Sequence, residues 1–230
     1  MNFRVEVSDK YGFKHLYNNE TLTMNQILAE GRERTNKDPL LVLLITRSPE
    51  QWIMAMYENR HDHLHSSNKT FFQFLQASPF LTYDFTGGGM NNARLVDEGG
   101  MYREDVFALR TMKLRAFKYL IEKSRSIPAV RVSLTRFEDI AKIPFEVLCQ
   151  IWQELHLPTK RDSALAMAHD ARAWSTDVNA NKIKLHNDRR FFNSDSVETI
   201  KARNLFCSKV DWEIEEFFGY RSSRGLCVKS

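Results

Sequence analysis

Residues 39–60 read PLLVLLITRSPEQWIMAMYENR, and this stretch decides the fold. The apolar run at 40–45 has the length of a strand and is typical of a parallel strand that is covered on both faces. Pro49 suits the first turn of a helix, and the residues after it have helical spacing. The stretch therefore predicts a buried strand, a short polar turn that contains Arg47, and a helix.

Alternating strand and helix patterns continue along the chain. Helices are predicted for 22–34, 104–123, 145–155 and 197–218, and strands for 3–7 and 129–134. Gly219 is a candidate C-cap for the last helix. This alternation predicts an α/β fold, specifically a three-layer sandwich with a mostly parallel central sheet flanked by helices. We expect residues 1–220 to form one such domain and residues 221–230 to form a basic tail.

Composition limits the class of protein. The net charge of +4 and the pI near 8.9 suit an anionic small ligand but are too weak to indicate nucleic acid. Cys149, Cys207 and Cys227 are few and odd in number, which favours free thiols in a reducing compartment, with Cys149 in the core. The N-terminus does not resemble a signal peptide, and no apolar window reaches the roughly 18 residues of a membrane span. We therefore expect a soluble, cytoplasmic protein.

Arg47 is the first candidate ligand-binding residue. In open parallel sheets, ligands bind beyond the carboxyl ends of the strands. A cation in that position, beside the N-terminus of a helix, favours an anion and most commonly a phosphate. The alternative is a surface arginine that caps a neighbouring helix.

The segment LLITRSPEQWIMAMYE resembles the second cofactor motif of sulfotransferases that use 3′-phosphoadenosine 5′-phosphosulfate (PAPS). Four further segments resemble the same family in the same order: YGFKHLY, YREDVFALRTMKLRAF, VRVSLTRFEDIAK and VDWEIEEFFGY. The resemblance implies that Arg47 binds the 3′-phosphate of the cofactor. The family's serine partner falls on Ala55, and Ser48 is the candidate substitute. Arg189 and Arg190 lie where the family has a basic loop over that phosphate.

The same resemblance implies sulfuryl transfer from PAPS, without a metal, to a hydroxyl or amine of a small molecule or glycan. His15 is the candidate base for the acceptor proton, and Lys14 is the candidate cation for the leaving phosphate. The common family pattern places these two residues two positions apart, whereas here they are adjacent. Adjacent residues of a regular strand point to opposite faces. The alternative for His15 is an ordinary loop histidine.

One family motif is not found. The first cofactor motif is a strand, a Gly-rich loop with a lysine and a helix, and only 13 residues precede Lys14. The resemblance therefore implies an N-terminally truncated sulfotransferase-like domain, the alternative being a family member that has lost part of its cofactor site. One alternative is a non-catalytic relative that binds a partner or acceptor. A second is another phosphate-binding α/β protein such as a kinase, although no Gly-Lys-Ser/Thr loop is found within the chain.

Several other polar residues receive structural interpretations. Arg110 and Lys113 are expected on the solvent face of their amphipathic helix, the alternative being contact with an anionic acceptor or cofactor. Glu138 and Asp139 are expected to cap the helix that follows them. The three alternating histidines, His61, His63 and His65, are interpreted as part of a solvated turn and not as a metal site.

Overall fold

The computed structural model of this chain describes residues 20–58, 69–78, 104–156, 192, 195–221 and 227. Within them the protein is mixed α/β, mostly helical, with a small parallel sheet of two strands packed against helices. The chain separates into two compact units. The first unit comprises Met1–Ile27, Ile53–Leu120 and Arg189–Ser230, and the second comprises Leu28–Trp52 and Ile121–Asp188. The strand predicted at 3–7 lies outside the described residues.

The elements are numbered in chain order. The helices are α1 (Glu20–Glu33), α2 (Pro49–Glu58), α3 (Phe71–Leu75), α4 (Val106–Ser124), α5 (Phe137–Lys142), α6 (Pro144–Glu154), α7 (Val197–Lys209) and α8 (Trp212–Phe217). The strands are β1 (Leu40–Thr46) and β2 (Val130–Arg136). Within a few residues at each end, these bounds confirm the predictions for α1, β1, α2, α4, β2 and α6. Within the described part of the chain, every helix is too short or too polar to span a lipid bilayer.

The second unit contains the sheet. β1 and β2 are parallel, with Leu43 opposite Ser133, and α5 and α6 pack against β2. The expectation that β1 is covered on both faces is wrong, because Leu43 and Ile45 are 40% and 48% exposed. The hydroxyl of Ser133 donates to the carboxylate of Glu154 on α6 at 2.6 Å. This contact holds α6 against the face of β2 that carries Ser133. The corresponding face of β1 is partly exposed at Leu43 and Ile45.

The first unit has an aromatic core. Phe192 lies between Phe71 and Phe206, with ring centroids 5.3 Å and 5.0 Å away. Phe71 belongs to α3, which packs against α7, the helix that carries Phe206. Burying each such ring stabilises the fold by about 1.5–3 kcal/mol. The short helix α3 was not predicted, and it begins at a capping box between Thr70 and Gln73.

The prediction of one helix over 197–218 is wrong, because α7 and α8 are separate helices. The side chain of Asp211 accepts a hydrogen bond from the Ile214 amide at 3.3 Å. An aspartate that bonds to the backbone in this way starts a new helix. Phe218 is the C-cap of α8, and Gly219 follows it with a φ of 79° and donates its amide to the Glu216 carbonyl at 3.0 Å. The prediction that Gly219 ends this helix is confirmed.

The cysteines differ from expectation. Cys207 and Cys227 form a disulfide, so the prediction of free thiols is wrong for this pair. Cys149 is free but exposed, so its predicted place in the core is also wrong. It lies two residues after Val147, the buried residue of α6, and two residues turn a helix by about 200°. Because disulfides persist in oxidising environments, the cysteine count no longer supports a cytoplasmic location, which stays a prediction.

Candidate functional site

The carboxyl ends of the two strands lie side by side, because Thr46 pairs in register with Arg136. Arg47 and Phe137 follow these two residues directly. The guanidinium of Arg47 lies over the Phe137 ring, 3.8 Å from its centroid. A cation–π contact of this kind contributes about 0.5–1 kcal/mol at an exposed site and more when it is desolvated. It fixes the half-buried Arg47 at the edge of the sheet where ligands bind in parallel α/β folds.

Ser48 begins α2. Its carbonyl accepts the first helical hydrogen bond, from the Trp52 amide at 2.8 Å. Its hydroxyl oxygen accepts a hydrogen bond from the Gln51 amide at 3.4 Å, as an N-cap residue does. Because a hydroxyl can donate as well as accept, Ser48 keeps a donor for a ligand. The structure therefore places Arg47 and the N-terminus of α2 next to each other, as the sequence predicts.

Glu138 also reaches the N-terminus of α2. Its carboxylate accepts a hydrogen bond from the Ser48 amide at 2.8 Å. The prediction that Glu138 and Asp139 cap the following helix is therefore wrong. The N-cap residue of α5 makes no side-chain cap bond, and the Asp139 carboxylate accepts from Arg136 at 2.7 Å. The positive end of the α2 dipole attracts the carboxylate, which lies beside it because the strand ends are in register.

The charges at this edge balance. Arg47 and Arg136 are positive, and Glu138 and Asp139 are negative. An anionic ligand would be attracted by Arg47 and by the N-terminus of α2, and it would be repelled by Glu138. The arrangement can therefore bind one anion, and a carboxylate of the protein itself competes for that position.

Ala55 lies two turns beyond Ser48 on α2, is half-buried and belongs to the first unit. Its methyl group makes no hydrogen bond, so it cannot replace the family's serine. The remaining predicted site residues lie outside the described residues: Lys14, His15, Arg189, Arg190, His61, His63 and His65. Among the residues that the structure describes, no group of three or more His, Cys, Asp or Glu side chains could hold a metal ion.

Arg110 contradicts both interpretations that the sequence offered. It is only 5% exposed, so it is not on the solvent face of α4. Its Nη2 donates to Oε2 of Glu215 at 2.8 Å, and its Nε donates to the other oxygen of the same carboxylate. A guanidinium held in this bidentate way is not available to an anionic acceptor or cofactor. Lys113 is half-buried and interacts with another group of the protein.

A groove with a cavity volume of about 610 Å³ runs along α4 in the first unit. Asp105 pairs with Lys209 at 3.1 Å, and Asp211 pairs with Arg115 at 2.8 Å. The hydrogen bond from Lys209 to Asp105, reinforced by the carboxylate charge, raises the pKa of Lys209. Each aspartate uses its other oxygen to cap a helix, through the amides of Ala108 and Ile214. These contacts are structural, and the sequence did not single out either aspartate.

Comparison of this chain with protein-family models, with curated proteins and with solved structures finds no match. The resemblance to sulfotransferases therefore rests on the sequence motifs alone.

Proposed function

We propose that this chain is a PAPS-dependent sulfotransferase that moves a sulfuryl group to a hydroxyl or amine of a small molecule or glycan. The observation that carries the proposal is the position of Arg47, directly after β1, stacked on Phe137 and beside the N-terminus of α2. A guanidinium and a helix N-terminus together suit a phosphate. The proposal includes the finer fold, a three-layer sandwich whose central sheet has more strands than β1 and β2.

In the proposed site Arg47 and the Ser48 hydroxyl bind the 3′-phosphate of PAPS. The roles of Arg189 and Arg190 rest on the resemblance, because both residues lie outside the described residues. A guanidinium can donate two parallel hydrogen bonds to one phosphate, whereas a hydroxyl donates one. Arg47 is therefore expected to contribute more than Ser48 to the free energy of binding the 3′-phosphate.

The proposed chemistry is an in-line transfer that needs no metal. The acceptor atom attacks sulfur, a new bond to sulfur forms, and the bond from sulfur to the bridging phosphate oxygen breaks. His15 takes the proton of the acceptor, and Lys14 neutralises the charge of the leaving phosphate. These two residues lie outside the described residues, so their roles rest on the resemblance.

Ligand-induced thermal stabilisation tests the proposal. The product nucleotide 3′-phosphoadenosine 5′-phosphate (PAP) carries the 3′-phosphate that Arg47 would bind, whereas ATP lacks it. At a PAP concentration one hundred times Kd, the gain in free energy of unfolding is about 2.7 kcal/mol. We expect a clear shift with PAP and a much smaller one with ATP. No shift at millimolar PAP would contradict the proposal.

The second candidate is a non-catalytic relative that has lost the cofactor site and binds a partner or acceptor. Two observations favour it: Glu138 already bonds to the Ser48 amide, and Ala55 has no hydroxyl. This candidate predicts that PAP fails to stabilise the wild type. It also predicts that the Glu138→Gln and Ala55→Ser variants still fail to bind PAP.

A further inference from the structure

A disulfide closes a loop around α8 in the first unit. Cys207 lies on α7 and Cys227 follows α8, and the two are 20 positions apart in sequence with Cα atoms 5.5 Å apart. The whole of α8 lies between these cysteines. At the start of the loop, the indole N–H of Trp212 donates to the carbonyl of Cys207 at 3.2 Å. The disulfide therefore restrains the segment that carries α8 at both of its ends.

The enclosed helix is attached to α4 by two acidic residues. Asp211, which caps α8, pairs with Arg115 of α4 at 2.8 Å. One turn further on, Glu215 pairs with Arg110 of α4, and both side chains are almost completely buried. Apolar contacts add to these pairs, because Ile214 is buried within α8 and the Trp212 ring packs against Phe206 with centroids 6.0 Å apart. Lys118 of α4 also lies over the Phe217 ring, 5.0 Å from its centroid. Helices much shorter than 12 residues are marginal in isolation, so this six-residue helix depends on these attachments.

We propose that the disulfide between Cys207 and Cys227 is a redox-operated latch that holds α8 against α4. A dithiol reductant attacks one of the two sulfurs and forms a mixed disulfide with it, releasing the other cysteine as a thiol. The second thiol of the reductant then displaces the first cysteine. Both cysteines end as protonated thiols, and the reductant is oxidised to its own disulfide. The loop then regains conformational freedom, and α8 separates from α4 more often.

The entropy of closing the loop determines how much reduction of the disulfide changes the opening equilibrium of α8. Removing a cross-link from a loop of 20 positions changes the opening equilibrium by on the order of a hundredfold. The change is expected to be local, because the disulfide encloses α8 and no other described helix in full. The latch is independent of the proposed nucleotide site, since the residues of the latch belong to the first unit and Arg47 belongs to the second.

Hydrogen exchange of the full chain, with and without dithiothreitol, tests the latch. The diagnostic amides are those of Ile214, Gly219 and Tyr220, whose acceptors are the Asp211 side chain and two carbonyls of α8. We expect their exchange to become about a hundredfold faster in the reduced protein. Amides of α6, in the second unit, should keep their rates. Equal rates for α8 in both redox states, or an equal acceleration in α6, would overturn the proposal.

Two cysteine variants make the test specific. Cys227→Ser should show fast α8 exchange without reductant and no response to it. Cys149→Ser removes the free exposed thiol and should respond to dithiothreitol as the wild type does. Thiol titration should count one thiol in the oxidised protein and three after reduction, and three before reduction would also overturn the proposal. If Cys227→Ser does not fold, the comparison of oxidised and reduced wild type still decides the matter.

Discussion

Arg110 and Glu215, 105 positions apart in sequence, form an ion pair whose side chains are only 6% and 2% exposed. The pair joins the second turn of the first unit's longest described helix, α4, to the short helix α8. Two charges removed from water in this way stabilise the fold only when both are present. The pair is therefore a buried attachment of α8 to α4, next to the more exposed pair of Asp211 with Arg115.

Arg110→Met should destabilise the protein by about 3–5 kcal/mol, because it removes the guanidinium that pairs with the buried carboxylate of Glu215. The double variant Arg110→Met/Glu215→Met should recover most of this loss, because it removes both charges and keeps apolar volume. Urea denaturation of the two variants measures the difference. Arg115→Met is the matched control, since its pair with Asp211 is exposed on the arginine side and should be worth less than about 1 kcal/mol. A double variant as unstable as the single one would contradict this account.

Gly31→Ala should destabilise the second unit although alanine is the better helix former. A Cβ at this buried position of α1 would overlap Cγ2 of Val130 on β2. Overpacking of this kind costs about 1–3 kcal/mol, which exceeds the gain in helix propensity of about 1 kcal/mol. The double variant Gly31→Ala/Val130→Ala should lose less stability than the sum of the losses in the two single variants. A higher melting temperature of the Gly31→Ala variant would contradict the close contact of Gly31 with Val130.

Local pattern in the sequence was sufficient for most of the described elements. The apolar run of β1, Pro49 at the start of α2 and Gly219 after α8 each depend on neighbours within one or two turns. The sequence could not predict contacts with distant residues. The helical pattern of α4 predicts that Arg110 faces solvent, because it contains no sign of the pairing with Glu215. The Glu138 carboxylate likewise accepts a hydrogen bond from an amide 90 positions away. The helical pattern of the sequence also continues through Asp211. It does not reveal the break between α7 and α8, where the Asp211 side chain caps α8 through one hydrogen bond.

The ion pair of Lys209 with Asp105 should make stability depend on high pH. Asp105 raises the pKa of Lys209 above its ordinary value of 10.5. A raised pKa in the folded state means that the stabilisation is complete below the unfolded value and is lost as pH rises through the folded value. Lys209 is 45% exposed, so the effect should be below about 1 kcal/mol. We expect Lys209→Met to be less stable than wild type at pH values below 10.5 and equal to it well above that value.

Asp105→Asn is the companion variant in that pH series. Its amide oxygen can still cap α4 through the Ala108 amide, but it cannot form the ion pair. Urea denaturation as a function of pH should therefore give the same profile for Asp105→Asn as for Lys209→Met. A constant difference from wild type across the whole range would assign the effect to packing and not to the charge.

Glu138→Gln should strengthen the binding of PAP, because it removes the negative charge that lies on the N-terminus of α2 beside Arg47. The amide oxygen of glutamine can still accept from Ser48, so the fold should be retained. We expect a decrease in Kd of about threefold to thirtyfold, as for the loss of one charge that is partly screened by solvent. Asp139→Asn removes the same charge from the neighbouring residue, which is paired with Arg136, and should have the smaller effect. Equal effects of the two variants would mean that only net charge matters.

Titration calorimetry of PAP with the wild type and with Arg47→Ala tests the central claim most directly. A charged hydrogen bond from arginine to phosphate contributes about 1.5–3 kcal/mol, so Arg47→Ala should weaken binding about tenfold to a hundredfold. Arg47→Lys should recover only part of the loss because lysine lacks the bidentate fork, and Ala55→Ser should tighten binding. Arg136→Ala, which removes the other arginine of the sheet edge, should stay close to wild type. Unchanged affinity in a folded Arg47→Ala protein, or no PAP binding by the wild type, would contradict the account.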